Sequence, residues 1–258
     1  MSLNGRTAIV TGGASGIGAA TCYELADRGA NIIVADLDDE AGPETATEVS
    51  DTTNADAEFV TVDVSDEVAV ESVIETAVKE FGRLDVVVNN AAVSSPSADG
   101  PITEFDEEAF SFIAGVNLCG PAYLCKHAIP AMQETGVGSG SIVNNASIAA
   151  LVAEPGMDSY TATKGALVSL TRSIAIEYAP DIRANTICPG VVETPMLESA
   201  LDETDGETDD TLQSMVEDTP LGMAAPAEIA SAIGFLASDE AAFVTGATVP
   251  VDGGYTAK

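Results

Sequence analysis

The sequence predicts an α/β fold: a doubly wound parallel sheet of about seven strands with helices on both faces. Three observations carry the prediction. Short apolar runs recur along the 258 residues and alternate with stretches whose apolar side chains fall at helical spacing. The runs are continuous rather than alternating, as strands covered on both faces are. The first run enters a glycine-rich turn that opens a helix, and repeated strand–helix units of this kind build a parallel sheet.

Arg6-Thr-Ala-Ile-Val-Thr11 is the first strand and feeds Gly12-Gly-Ala-Ser-Gly16-Ile-Gly18. An apolar-periodic helix follows from Ala19 to Arg28, closed by Gly29 at the C′ position. Glycines in this context let the backbone approach a pyrophosphate, which the amides of a helix N-terminus can hold. The plainer alternative is an ordinary glycine-rich βα turn. The second strand, Asn31 to Asp36, ends in an acid eighteen residues after Gly18, where a ribose-binding carboxylate is expected. Asp36 could instead cap the next helix. Glu58 to Asp63 is the third strand. Ser65 to Gly82 is a helix whose Val70, Val73, Ile74, Ala77, Val78 and Phe81 form one stripe.

Asp85 to Asn90 and Ser141 to Ser147 run apolar into polar ends, and Arg183 to Gly190 supplies another strand. Pro226 to Ser238 is a short helix with proline at its start, and Gly246 to Gly254 is the last strand. Polar residues at the C-terminal ends of such strands line the ligand crevice. The pattern loosens between Thr194 and Leu221. Residues 198–210 are polar, acidic and poor in core side chains, which suits either a mobile lid or a solvated loop.

Tyr160 and Lys164 are four residues apart, and Ser147 lies thirteen residues before Tyr160. On a helix, such a pair shares one face. A tyrosine ordinarily titrates near ~10, too high for a proton shuttle near neutrality. A fixed cation nearby favours the phenolate. The pair is therefore a candidate general acid/base with its tuning charge attached.

The chain resembles the short-chain dehydrogenase/reductase family, in its single-domain branch. The residues that carry the likeness are Thr11-Gly12, Gly16-Ile17-Gly18, Asp63, Asn89-Asn90-Ala91, Asn117, Ser147, Tyr160-x-x-x-Lys164, Pro189-Gly190 and Thr194, in the family's order. The likeness covers residues 5–254 and implies a single Rossmann-type domain over 1–258, with a lid at about 194–221. It implies that Ser147 holds the substrate oxygen, Tyr160 moves its proton, Lys164 binds the nicotinamide ribose, and Asn117 holds a relaying water. The cofactor cleft it implies comprises Gly12, Ser15, Gly16, Ile17, Gly18, Asp36, Leu37, Asp63, Val64, Asn90, Ala91, Ala92, Tyr160, Lys164, Pro189, Gly190, Val192 and Thr194. One departure is Ala92, where the family usually has glycine, and its methyl crowds the cofactor slightly. The likeness also implies a homotetramer. The mostly apolar stretch Tyr123 to Met132 would suit an interface or a core.

Asp36 can accept hydrogen bonds from an adenine ribose, whereas a 2′-phosphate would meet its charge. Leu37-Asp-Asp-Glu40 adds acids and no base, and Ser15 is uncharged. The expected cofactor is NAD. The expected activity is hydride transfer between NAD(H) and a small neutral alcohol, ketone or sugar. The alternatives are a 3-oxoacyl-carrier-protein reductase, disfavoured by the missing basic patch, and a non-catalytic NAD-binding sensor, disfavoured by the intact Ser147, Tyr160 and Lys164. The pocket lining expected from position is Ser94, Ser95, Ala149, Glu154, Met157, Val191 and Leu197, which spells out no substrate.

No run of about 18 apolar residues exists, so no membrane span is expected. Met1-Ser-Leu-Asn-Gly5 lacks the charged and apolar regions of a signal peptide. Cys22, Cys119, Cys125 and Cys188 are scattered, which suits reduced thiols in a cytoplasmic protein better than disulfides or a zinc site. The single histidine, His127, rules out the usual His-rich metal chemistry, and no basic patch invites nucleic acid.

There are 42 acids against nine bases, a net charge of −33. The acids are spread evenly, 23 in residues 1–129 and 19 in 130–258, where a binding tail would cluster them. Self-repulsion on this scale opposes compaction and is a lever used by halophiles, which makes the cytosol of an extreme halophile the expected setting. Melting temperature and activity should therefore rise from 0.1 M toward molar KCl. Screening alone should saturate as the Debye length falls below ~10 Å. Further gain up to 3 M would require cation binding or salting-out, and a flat or falling melting curve would remove the halophilic reading.

Overall fold

Residues 3–94, 99–136, 140–153, 155–203 and 207–257 are described by a computed structural model, with backbone alone for 200–203 and 207–211. The strands are β1 (Thr7–Thr11), β2 (Asn31–Asp36), β3 (Ala57–Thr61), β4 (Val86–Asn89), β5 (Gly140–Asn145), β6 (Ile182–Pro189) and β7 (Thr248–Val251). They form one sheet in the order β3-β2-β1-β4-β5-β6-β7, parallel at every neighbouring pair. The expected doubly wound sheet of about seven strands is therefore present.

The helices are α1 (Gly16–Asp27), α2 (Ala41–Thr52), α3 (Glu67–Phe81), α4 (Glu107–Ala114), α5 (Gly120–Thr135), α6 (Asp158–Glu177), α7 (Pro195–Glu203), α8 (Glu207–Asp218) and α9 (Pro226–Ala237). Strand side chains alternate between two cores. Ala8 and Val10 of β1 and Ile32 and Val34 of β2 join Cys22 and Leu25 of α1 and Ile229 and Ile233 of α9. Ile9, Ile33 and Ala35 face the other way, against Val70 and Val73 of α3, Leu124 and Ala128 of α5 and Ile174 of α6. Each fully buried Ile, Leu or Val contributes roughly 1.5–3 kcal/mol, so neither helical layer is dispensable.

The helix predicted over Ser65 to Gly82 is α3. Its Val70, Val73, Ile74 and Ala77 are buried, while Val78 and Phe81 pack at the margin of the core. Asp66 caps its start by accepting from Val68 N, and Gly82 ends it at φ +76°. Gly29 takes φ +97° after α1, as its C′ placement requires. Much of Tyr123 to Met132 is core, since Leu124, Cys125, Ala128, Ile129 and Met132 are buried within the chain.

Several expectations need correction. α1 begins at Gly16 rather than Ala19, because the turn glycines themselves form the first helical turn. β3 is Ala57–Thr61 rather than 58–63. It and β7 are only partly buried, because each lies at an edge of the sheet with a neighbour on one side only. The polar stretch after Thr194 is not a loop: α7 and α8 are helical despite their acids, and Met196, Leu197, Leu212 and Met215 face the crevice described below.

β6 carries a buried cation. Arg183 donates to the carbonyls of Leu236 (2.9 Å) and Ser238 (3.1 Å). It thereby satisfies the C-terminal carbonyls of α9, where positive charge is favoured. This fastens α9 to the sheet. No described helix is long and apolar enough to cross a membrane.

Candidate active site

The C-terminal ends of β1, β2, β4, β5 and β6 open into a cavity of about 610 Å³. Its position follows from topology: the order in which strands are added reverses between β1 and β4, and ligands of open α/β sheets bind at such a switch point. The strand ends carry polar groups that must be satisfied without filling the opening. Asn90 Nδ2 donates to the carbonyls of Thr11 (2.9 Å) and Gly12 (3.1 Å), and its Oδ1 accepts from Asn145 Nδ2 at 2.9 Å. Thr11 Oγ1 accepts from the backbone N–H of Asn90 and of Ala91. One chain of amides thus ties β1, β4 and β5 together under the cavity floor.

The glycine turn forms one wall. Gly12 has φ +64°, and a Cβ there would come within 2.9 Å of Ala91 Cα. α1 starts with no side-chain cap hydrogen bond at Ser15 and no acid in its first turn. Its amides are thus oriented toward the opening, which suits a bound anion. Asp36 is not the cap of α2. Its Oδ2 accepts from Ala14 N (2.9 Å) and its Oδ1 from Asp38 N (3.1 Å), whereas Asp38 accepts from Glu40 N and Ala41 N. Asp36 therefore braces the glycine turn while standing on the cavity wall. Asp63 accepts from Ser65 N and Ser65 Oγ. The glycine cradle, uncapped amides and Asp36 together fit a dinucleotide.

Most residues expected at the cofactor cleft do line the cavity: Gly12, Ser15, Gly16, Ile17, Asp36, Leu37, Asp63, Val64, Asn90, Ala91, Ala92, Tyr160, Lys164, Pro189, Gly190, Val192 and Thr194. Gly18 does not. A Cβ on it would lie 1.8 Å from Gly12 O, so it is a packing glycine that lets α1 seat against the turn.

Tyr160 and Lys164 share one face of α6, with Lys164 Nζ 5.5 Å from the centre of the Tyr160 ring. Lys164 is 2% exposed and donates to Asn145 O at 3.0 Å. Burial pulls its ammonium down from 10.5 to about 8. Ser147 follows β5 and lines the same cavity, its Oγ accepting from Ala149 N at 3.1 Å. Asn117 is buried in the π-turn Gly115–Cys119 that joins α4 to α5. Its Oδ1 accepts from Val93 N (2.8 Å) and its Nδ2 donates to Val93 O (2.9 Å), so its side chain is committed to the backbone after β4. The cavity thus brings together a hydroxyl, a phenol and a buried cation, a set able to hold an alcohol oxygen and move its proton.

The cavity wall also carries apolar side chains, among them Phe112, Val116, Ile148, Met157, Leu212 and Met215. Of the lining expected by position, Ser94, Met157, Val191 and Leu197 are there, Ala149 is not, and Ser95 and Glu154 lie outside the described residues. Sequence reasoning missed Phe112, Leu212, Met215 and Tyr255. Their only signal is apolar character at surface positions of acidic helices and a C-terminal turn. No group of acids, cysteines and histidine among the described residues could hold a metal.

The family described as enoyl-(acyl carrier protein) reductase matches residues 12–256. A cis-4-hydroxycyclohexanecarboxylate dehydrogenase of Sinomonas cyclohexanicum is 42% identical over 98% of this chain and 97% of its own length. A 2,5-dichloro-2,5-cyclohexadiene-1,4-diol dehydrogenase of Sphingobium indicum is 41% identical over 99% of this chain and 98% of its own. The crystal structure of levodione reductase superposes with a TM-score of 0.92 at 33% identity, covering 98% of both chains.

The burial of Lys164 has a measurable sign. Below about pH 8 the lysine is protonated whether folded or unfolded, and the full penalty of burying the charge applies. Between pH 8 and 10.5 the unfolded chain holds a proton that the folded one has released, so stability rises with pH. Urea unfolding of the unmodified protein should gain on that of Lys164→Met as pH climbs through this window. Parallel pH profiles for the two proteins would contradict the buried charge.

Proposed function

The chain belongs to the short-chain dehydrogenase/reductase family, an oxidoreductase family using nicotinamide cofactors, and on that premise we propose an NAD-dependent dehydrogenase of small uncharged alcohols. Ring alcohols and their ketones fit the site best. The observation that carries the reading is the meeting of Ser147, Tyr160 and Lys164 with a glycine cradle and Asp36 in one cavity whose remaining wall is largely apolar. Among the described residues, Lys164 is the sole base on the cavity wall, and it is turned to Asn145. A substrate carboxylate would therefore find no cation on the apolar wall. A polyol would leave hydroxyls without partners there, at about 1–3 kcal/mol for each buried group.

Ser147 Oγ would hold the substrate oxygen, and Tyr160 Oη would take its proton as the alcohol is oxidised. The Lys164 ammonium would stabilise negative charge on that phenol oxygen and would donate to the nicotinamide ribose. Asn117 has spent its side chain on Val93, which leaves its carbonyl in the π-turn to hold a relaying water. When bound, the nicotinamide accepts or supplies the hydride. Gly12, Gly16 and the amides of α1 would hold the pyrophosphate, and Asp36 the adenine ribose. The acid favours NAD because a 2′-phosphate would sit against it, and Leu37 and its acidic neighbours offer no base. A carrier-protein reductase is the weaker reading, since an acidic carrier would approach a chain of net charge −33.

We place the 258 residues in one catalytic unit with 194–221 as its lid, α7 and α8 closing over the substrate through Met196, Leu197, Leu212 and Met215. A homotetramer in the cytosol of a halophile completes the proposal. It rests on family likeness and on the evenly spread acids.

NADH absorbance with cyclohexanol, cis-4-hydroxycyclohexanecarboxylate, meso-2,3-butanediol, glucose and an acyl thioester tests the substrate. Cyclohexanol should be used best, and preference for glucose or the thioester would overturn the assignment. Tyr160→Phe should lower turnover by roughly 10²–10⁴-fold while NADH binding survives. NAD should be used far better than NADP, and Asp36→Ala with Leu37→Arg should narrow or reverse that gap. Equal use of both cofactors by the unmodified protein would contradict the role of Asp36.

A further inference from the structure

α6 carries Tyr160 in its first turn, yet its own cap residue does nothing to hold that turn. Met157 makes no side-chain cap hydrogen bond, and a thioether is at best a weak acceptor. The exposed amides of a helix start need partners. They find them about sixty residues back in the chain. Asp99 Oδ1 accepts from Ser159 N at 3.0 Å, and Asp99 Oδ2 accepts from Tyr160 N at 2.8 Å. Asp158 N reaches the neighbouring Gly100 O at 3.4 Å. In return, Asp158 Oδ2 accepts from Ile102 N at 2.7 Å. Two segments therefore lock reciprocally, and one of the locked amides belongs to Tyr160 itself.

We propose that Asp99 is a positioning residue for the reaction: a cap supplied from outside the helix that fixes the backbone of Tyr160 against the cavity. The inference rests on the assignment of Tyr160 as the acid/base. Both carboxylate oxygens reach α6, each on a different amide, and Oδ1 also accepts from Gly100 N at 2.9 Å, so the helix start is held at two points from one rigid turn. A first turn released from this hold frays, and the phenol leaves its place on the cavity wall it shares with Lys164 and Ser147. Misplacement of a reacting group by about 1 Å is enough for a ~10²-fold loss of rate. Most of the cofactor side is untouched: the glycine turn and Asp36 belong to other elements, and Lys164, one turn further along α6, is held separately by its bond to Asn145 O. Loss of Asp99 should therefore appear in kcat and not in the affinity for NAD.

Asp106 supplies the control. It caps α4 by accepting from Ala109 N at 2.8 Å and has no bond to α6. Asp99→Ala should lower kcat at least tenfold, with the KM for NAD changed less than twofold. Asp106→Ala should cost comparable thermal stability and leave kcat alone. Asp99→Asn keeps one acceptor oxygen where the carboxylate serves three amides, two of them on α6, and should fall between Asp99→Ala and the unmodified protein. Amide hydrogen exchange at Ser159 and Tyr160 should quicken at least tenfold in Asp99→Ala and stay unchanged in Asp106→Ala. Equal kcat in the two alanine variants, or unchanged exchange at Tyr160 in Asp99→Ala, would overturn the proposal. The exchange measurement needs no substrate. A failure to turn over any alcohol would thus count against the proposed function and leave the cap to be judged on its own.

Discussion

The crevice depends on the side chain of Asn90, which satisfies two carbonyls at the end of β1 and links them to the side chain of Asn145 at the end of β5. A parallel sheet buried on both faces leaves backbone carbonyls at its C-terminal edge, and an unpaired buried carbonyl costs about 1–3 kcal/mol. Side chains large enough to cover them would block the cavity. Asn90 instead bridges Thr11 and Gly12 on one side and Asn145 on the other, lying flat under the opening. Everything above it is set by that bridge. Gly12 must be glycine because it packs on Ala91, and the start of α1 is aimed by Gly12.

A second buried chain fixes the helix that carries Tyr160. Asn89 Nδ2 donates to Asn144 Oδ1 and Asn144 Nδ2 to Thr171 Oγ1, both at 2.7 Å, while Thr186 Oγ1 donates to Thr171 Oγ1 at 2.8 Å. These bonds join β4, β5 and β6 to the middle of α6. The bond from Lys164 to Asn145 O attaches the same helix one turn beyond Tyr160. Buried polar networks are strong only when satisfied throughout, and this one leaves α6 little freedom below Lys164. Its first turn lies beyond the network and depends on Asp99.

Much of this was legible in the sequence. Continuous apolar runs announced the sheet, and most residues expected at its C-terminal edge line the cavity, while Gly18, Asn117 and Ala149 do not. What stayed hidden has physical reasons. β3 and β7 read like their neighbours because edge position depends on strand order, which local pattern does not encode. α7 and α8 read as a loop because their apolar residues are few, and those few face a cavity rather than the core. Asp99 looked like one acid among 42. A cap supplied across sixty residues leaves no mark at the helix it serves, apart from the absence of a polar residue at Met157.

In the proposed reaction hydride passes directly from the substrate to the nicotinamide cofactor as Tyr160 removes the proton. This transfer is tested most directly with cyclohexanol deuterated at the carbinol carbon. One deuterium per turnover should appear on C4 of the nicotinamide by NMR, with none lost to water, and transfer should slow by roughly 10²–10⁴-fold in Tyr160→Phe. Deuterium released to solvent, or transfer unaffected by loss of the phenol oxygen, would contradict the account.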